Sequence, residues 1–128
     1  MTTPIQDPVS IDKIIEAIKK AYHVVEPFEV YLALKKLKLL HITEPTQDVV
    51  RWCIAIQSQR LPITTYLITH LSDRPNSSAR SILHRLGDNK ILTLLRDERR
   101  ELRYLLHPRT KEYLDPHTLA ERAKEATV

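Results

Sequence analysis

The sequence predicts a mainly α chain carrying a small β ribbon, and three observations lead there. The 128 residues include a single glycine, Gly87. Long helices tolerate such poverty best, because each interior glycine costs about 1 kcal/mol. Apolar residues recur at three- and four-residue spacing up to Leu86, the period of a helix face. After Asn89 the period changes: Ile91–Arg96 and Leu102–His107 are strand-like runs flanking the fully charged Asp97-Glu98-Arg99-Arg100-Glu101, a connection of hairpin length.

The elements follow in order. Ser10 is a good N-cap, and Ile11, Ile14, Ile15, Ile18 and Tyr22 share one face of the helix it opens, with Asp12, Lys13, Glu16, Lys19 and Lys20 opposite. Pro27 suits the first turn of a second helix, where its missing N–H costs nothing. That helix is apolar on most sides, through Phe28, Val30, Tyr31, Leu32, Leu34 and Leu37. Thr43-Glu44-Pro45 starts a third, running to about Gln59 and burying Val49, Trp52, Cys53 and Ile56. Leu61-Pro62-Ile63 suits a short edge strand, since proline disfavours helix in the residue before it. Thr64 caps a short helix with Tyr66, Leu67, Ile68 and Leu71 inward, and Ser72-Asp73-Arg74-Pro75-Asn76 is a turn. Ser77 or Ser78 caps the next helix, whose apolar face is Ala79, Ile82, Leu83 and Leu86, and Gly87 stands where a left-handed C-cap is wanted. Asp115-Pro116 opens a final short helix to about Ala126.

Composition excludes several classes. Charged residues at 28% and hydrophobic ones at 42% are an ordinary globular balance, not that of a disordered chain. One cysteine, Cys53, makes no internal disulfide, which excludes a disulfide-built secreted scaffold. No apolar run reaches the roughly 18 residues of a membrane span, and the N-terminus lacks a signal-peptide pattern; a cytoplasmic protein without membrane contact is expected. A chain with one glycine has no phosphate-cradling loop or dinucleotide fingerprint. The six histidines show no HxxxH or CxxC spacing, so no metal site is expected. No nucleophile motif or acid–base dyad is visible, and neither enzymatic activity nor a cofactor is expected. Cys53, inside an apolar helix beside Trp52, reads as a buried small hydrophobe. Tyr66 and His70, one turn apart, read as core packing before ligand pocket.

The net charge of +4 is unevenly spread. Between Arg74 and Lys111 ten basic residues face four acidic ones, whereas the rest of the chain holds ten basic and twelve acidic. Such a positive stretch favours polyanion binding; the plainer alternative is a solvated arginine-rich face.

Where Leu61-Pro62-Ile63-Thr64 leads through Tyr66–Leu71 into Ser77–Leu86, the chain resembles a winged helix-turn-helix domain. The ribbon 91–107 looks like the wing, and Pro108-Arg109-Thr110-Lys111-Glu112-Tyr113-Leu114 is similar to the segment after the wing in MarR-like, archaeal-type transcriptional regulators. The resemblance covers about half the chain. It implies a winged-helix domain (44–114); residues 1–43 lie outside it and are expected to be an N-terminal helical extension for packing or dimerisation, and 115–128 a short C-terminal helix or tail. It also implies that the helix 77–86 enters the major groove of double-stranded DNA, presenting Ser77, Ser78, Arg80, Ser81, His84 and Arg85. Serines there can bind phosphate beside the helix dipole; Arg80 and Arg85 read guanine edges or hold backbone. Arg96, Arg99, Arg100 and Arg103 of the wing suit DNA backbone or minor groove, unless Asp97, Glu98 and Glu101 neutralise them. The expected function is DNA-binding transcription regulation by a homodimer, associated through the two N-terminal helices. The rival is a protein-interaction module in a transcription or replication assembly, docking through Phe28, Tyr31 and Leu32; a third, weaker reading is a nonspecific architectural DNA binder.

Overall fold

The computed structural model describes residues 8–96 and 102–115. The chain is mainly helical with a small three-stranded antiparallel sheet. In order come α1 (Pro8–Val24), α2 (Pro27–Lys36), α3 (Glu44–Ser58), β1 (Ile63–Thr64), α4 (Thr65–Ser72), α5 (Asn76–Asp88), β2 (Leu92–Arg96), β3 (Leu102–Leu106), a 3-10 turn at Pro108–Thr110, and α6 (Lys111–Leu114). The expected final helix beyond Asp115 lies outside the described residues.

Helix α3 is the hub. Val49, Val50, Trp52, Cys53, Ile54, Ala55 and Ile56 are all buried, so it has no solvent stripe across its middle, as a helix covered on every side requires. Helices α1, α2, α4 and α5 and strands β1 and β3 all pack on it. One apolar cluster runs from Ile18 of α1 to Leu114 of α6. The first two helices therefore share the core of the rest, and Val30, Ala33, Leu34 and Leu37 of α2 are covered by this chain itself.

The helix starts follow side-chain chemistry in two places. Thr43 Oγ1 accepts the Thr46 N–H at 3.4 Å, and Thr64 Oγ1 accepts the Leu67 N–H at 3.1 Å, each satisfying a first-turn donor. Two helices start earlier than expected. Helix α1 begins at Pro8, so Ser10 lies inside it. Helix α5 begins at Asn76 with Pro75 in the cap position and no side-chain cap, because Ala79 N–H is already bonded to Pro75 O at 3.0 Å.

The helix ends correct a further expectation. Gly87 has no positive φ and lies within α5. The left-handed residue is Lys90, at φ 58°. Lys90 N–H reaches Gly87 O, and Ile91 N–H reaches back to Leu86 O at 2.9 Å. That is a Schellman closure, with the buried Ile91 as its apolar anchor. The same pattern closes α2 through Lys38 (φ 64°) and Leu39, and α3 through Arg60 (φ 60°) and Leu61. All three left-handed positions hold a basic residue, which the negative end of a helix dipole favours, at the steric cost a β-carbon meets in that conformation.

Two apolar expectations also change. Tyr66, expected inward, is 74% exposed. The buried face of α4 is Ile68 and Leu71, and a residue two before Ile68 points about 200° away from it on a helix. Ile11 and Ile14 are exposed as well, because α1 meets α3 through its later half, where Tyr22 stacks on Trp52 with ring centroids 3.8 Å apart. No helix among the described residues is long and apolar enough to cross a membrane.

The sheet has the order β1-β3-β2. Ile63 pairs with Tyr104 and Thr64 with Arg103; on the other side Leu92 through Arg96 pair with Leu106 through Leu102. The two residues of β1 sit at the sheet edge immediately before α4, so the sheet is fastened to the start of the helix pair α4–α5.

Candidate nucleic-acid interface

Helices α4 and α5 are joined by Asp73-Arg74-Pro75, with Asp73 in the left-handed region at φ 57°. A three-residue turn of this kind sets two helices at a steep angle. The turn is held from below. Arg74 donates to Asp48 Oδ2 of α3 at 3.1 and 3.2 Å, and the Tyr22 hydroxyl donates to Asp48 Oδ1. Arg51 lies 3.9 Å over the Tyr22 ring and donates to Tyr22 O, the Tyr22 hydroxyl and Val25 O. Burial, and then the bond to Asp48, push the Tyr22 hydroxyl up to about 12. One clasp thus joins the end of α1, the middle of α3 and the turn before α5.

Helix α5 buries Ala79, Leu83 and Leu86. Ser77, Arg80, Ser81 and His84 are exposed on the opposite side, as expected, and Ser78 is half-buried at the margin. Arg80 makes no hydrogen bond or ion pair with another described residue. His84 Nε2 lies 3.5 Å from Asp88 one turn on, so a carboxylate marks the far limit of this face. Asn76, Ser77, Arg80, Ser81 and His84 form one wall of a groove of about 610 Å³, and Leu102 and Tyr104 of β3 form the other. With no side-chain cap on α5, the first-turn N–H groups add to the positive end of the helix.

Arg85 departs from the expectation. It is half-buried, and its guanidinium donates to Leu40 O at 3.1 Å, His41 O at 3.3 Å and the hydroxyl of buried Thr46. Only a three-pronged donor joins the loop after α2, the start of α3 and α5 at once, so this side chain is a brace and not part of the exposed face. Arg103 is half-buried on β3, opposite Leu95 and Thr64. Arg96 ends β2, paired with Leu102; its side chain, and all of Arg99 and Arg100, lie outside the described residues.

Sequence reading did not single out Asn76, Leu102 and Tyr104 as groove walls, nor Arg74 and Arg109 as braces. Arg109 donates to Asn89 O and Lys90 O, each at 3.0 Å, and to Leu37 O. The signal was indirect: Arg109 meets carbonyls beside the left-handed turns after α5 and α2, and Arg74, next to the left-handed Asp73, meets the Asp48 carboxylate. Cys53 is fully enclosed, and burial pushes its thiol far up, away from reactive thiolate chemistry. Among the described residues no group of three or more His, Cys, Asp or Glu is placed to hold a metal ion. Comparison of the chain with protein-family models, with curated proteins and with solved structures returned no match.

Proposed function

We propose that residues 44–114 form a winged helix-turn-helix domain that binds double-stranded DNA as a transcriptional regulator, with α5 as the helix entering the major groove and the β2–β3 ribbon as the wing. The order helix, edge strand, helix, turn, helix, ribbon, with the last strand paired between the other two, supports the fold reading. The observation that carries the function is the first half of α5. Ser77, Arg80, Ser81 and His84 stand exposed together on an uncapped helix end beside a groove, and the nearest carboxylate of that helix is at its far end. A helix of about 10–12 Å diameter matches a major groove about 12 Å wide. Serine hydroxyls and first-turn N–H groups suit phosphate oxygens, and Arg80, held by no other described residue, supplies a fork for base edge or backbone.

Titration of duplex-DNA affinity against salt tests the reading. The logarithm of the binding constant should fall with a slope of about −0.9 per phosphate neutralised, and a flat response removes the proposal. A second reading, a protein-docking module, is favoured by Phe28, which is 65% exposed and stacked on Tyr31. It predicts salt-insensitive capture of a protein partner and no DNA binding. Association as a homodimer draws on the exposed Phe28, Ile11 and Ile14 of the first two helices; sedimentation as a monomer at micromolar concentration ends that part.

A further inference from the structure

A second cavity opens at the other end of β3. Where Leu102 and Tyr104 border the α5 groove, the strand's last residue, Leu106, borders a hollow of about 430 Å³ shared with Gln57, Arg60, His107, Lys111 and Asp115. We propose that this hollow binds a small organic anion: an apolar body of roughly ring size carrying one carboxylate or phosphate. Its volume falls within the range of about 300–1,000 Å³ typical of small-molecule sites.

The polar groups around it are mostly donors. Arg60 and Lys111 are exposed, and neither side chain makes a hydrogen bond or ion pair with another described residue. His107 Nδ1 accepts the Arg109 N–H at 3.1 Å, so the neutral ring keeps its proton on Nε2 and offers a donor there. Gln57 is held at both ends of its amide: the nitrogen donates to Leu61 O at 2.8 Å, and the oxygen accepts the Leu106 N–H at 2.9 Å. It therefore fixes the wall. Among the described residues Asp115 is the carboxylate at the rim, and it is already engaged within the chain. Leu106 and Pro108 supply the apolar surface. Two cations with no partner among the described residues and an N–H donor over an apolar wall match an anion with a hydrophobic body.

Arg60 makes the proposal separable from a merely structural role. Its backbone is left-handed at φ 60°, where glycine is the less strained residue. The Arg60→Gly variant should therefore unfold at a higher temperature than the parent and yet bind the anion more weakly. Amide chemical shifts of the full chain are followed by NMR while phenyl phosphate, benzoate and inorganic phosphate are added separately. Saturable shifts at Arg60, His107 and Lys111, with Ser77 and Arg80 unmoved, are expected for phenyl phosphate or benzoate at a Kd of about 1 mM or tighter, the stronger of the two identifying the headgroup. Inorganic phosphate should bind at least tenfold more weakly, and Arg60→Gly and Lys111→Gln should each weaken the organic anion severalfold. Absence of saturable shifts, equal binding of inorganic phosphate, or an unchanged Kd in both variants overturns the proposal. None of these readouts requires DNA, so the outcome is independent of the DNA-binding reading.

Discussion

The two ends of α5 use the same chemistry for opposite purposes. Near its start Arg80 is exposed and free of any described partner; one residue beyond His84, Arg85 has its guanidinium divided among two backbone carbonyls and a buried threonine hydroxyl. The difference comes from what each end faces. The early half borders an open groove, and the late half borders the Leu40–His41 loop, whose carbonyls have no helical or sheet partner of their own. Leu40 and His41 are exposed and Thr46 is buried, so Arg85 reaches from the surface loop to a covered hydroxyl and pins the loop to α3 and α5. Arg109 likewise donates to carbonyls at the turns after α5 and α2, whereas Arg74 is held by the Asp48 carboxylate. Positive charge counted along the chain therefore overstates the charge available to a ligand.

Substitution at the two arginines should separate their roles. Arg85→Ala should destabilise the fold by about 2 kcal/mol, the range for losing hydrogen bonds from a charged donor to partly buried acceptors, while DNA affinity per folded molecule stays unchanged; urea unfolding and binding isotherms measure the two. Arg80→Ala should do the reverse, weakening DNA binding about tenfold, or about 1.4 kcal/mol, and reducing the salt slope by about 1, with the unfolding midpoint unmoved. If the two variants behave alike, the contrast between the helix ends is broken.

Smaller effects sharpen the contrast by changing the helix without touching either arginine. Gly87 is interior to α5, and a β-carbon there would lie 3.6 Å from a Tyr104 ring carbon, an ordinary contact. Gly87→Ala should thus stabilise by up to about 1 kcal/mol, read as a raised denaturation midpoint with DNA affinity retained. Lys90→Gly should add about 0.5–1 kcal/mol by relieving the left-handed backbone, and should leave DNA binding intact because Lys90 lies at the braced end.

The clasp beneath the free end gives a pH signature. The folded protein holds the Tyr22 proton up to about pH 12, whereas the unfolded chain releases it near 10. The native state therefore binds more protons in that window, and stability must fall as pH rises from 10 through 12. Tyr22→Phe should flatten this part of the stability–pH curve, measured by denaturant titration at several pH values.

The sequence displayed the elements well and their contacts poorly. Helix-period spacing located α1, α3 and α5; Thr43 and Thr64 announced their helices, and the change of period after Asn89 located β2 and β3. Local chemistry decides each of these, so local residues reveal them. Gly87 misled because a glycine near a helix end suggests a stop, whereas Ile91 needed burial and pulled the turn three residues later. Arg85 misled because a helical wheel gives only direction, and the loop waiting in that direction is supplied by residues more than forty positions earlier. The exposure of Tyr66 was open to reading, since its angular distance from Ile68 is fixed by the helix itself.

The strand order has a consequence for synthesis. The middle strand of the sheet is the last of the three to leave the ribosome, so Ile63 and Leu92, both fully covered in the finished protein, have no sheet partner until residues 102–106 emerge. A nascent polypeptide stopped before Leu102 exposes two edges at once, which makes completion of the domain a single late event and not a gradual accretion.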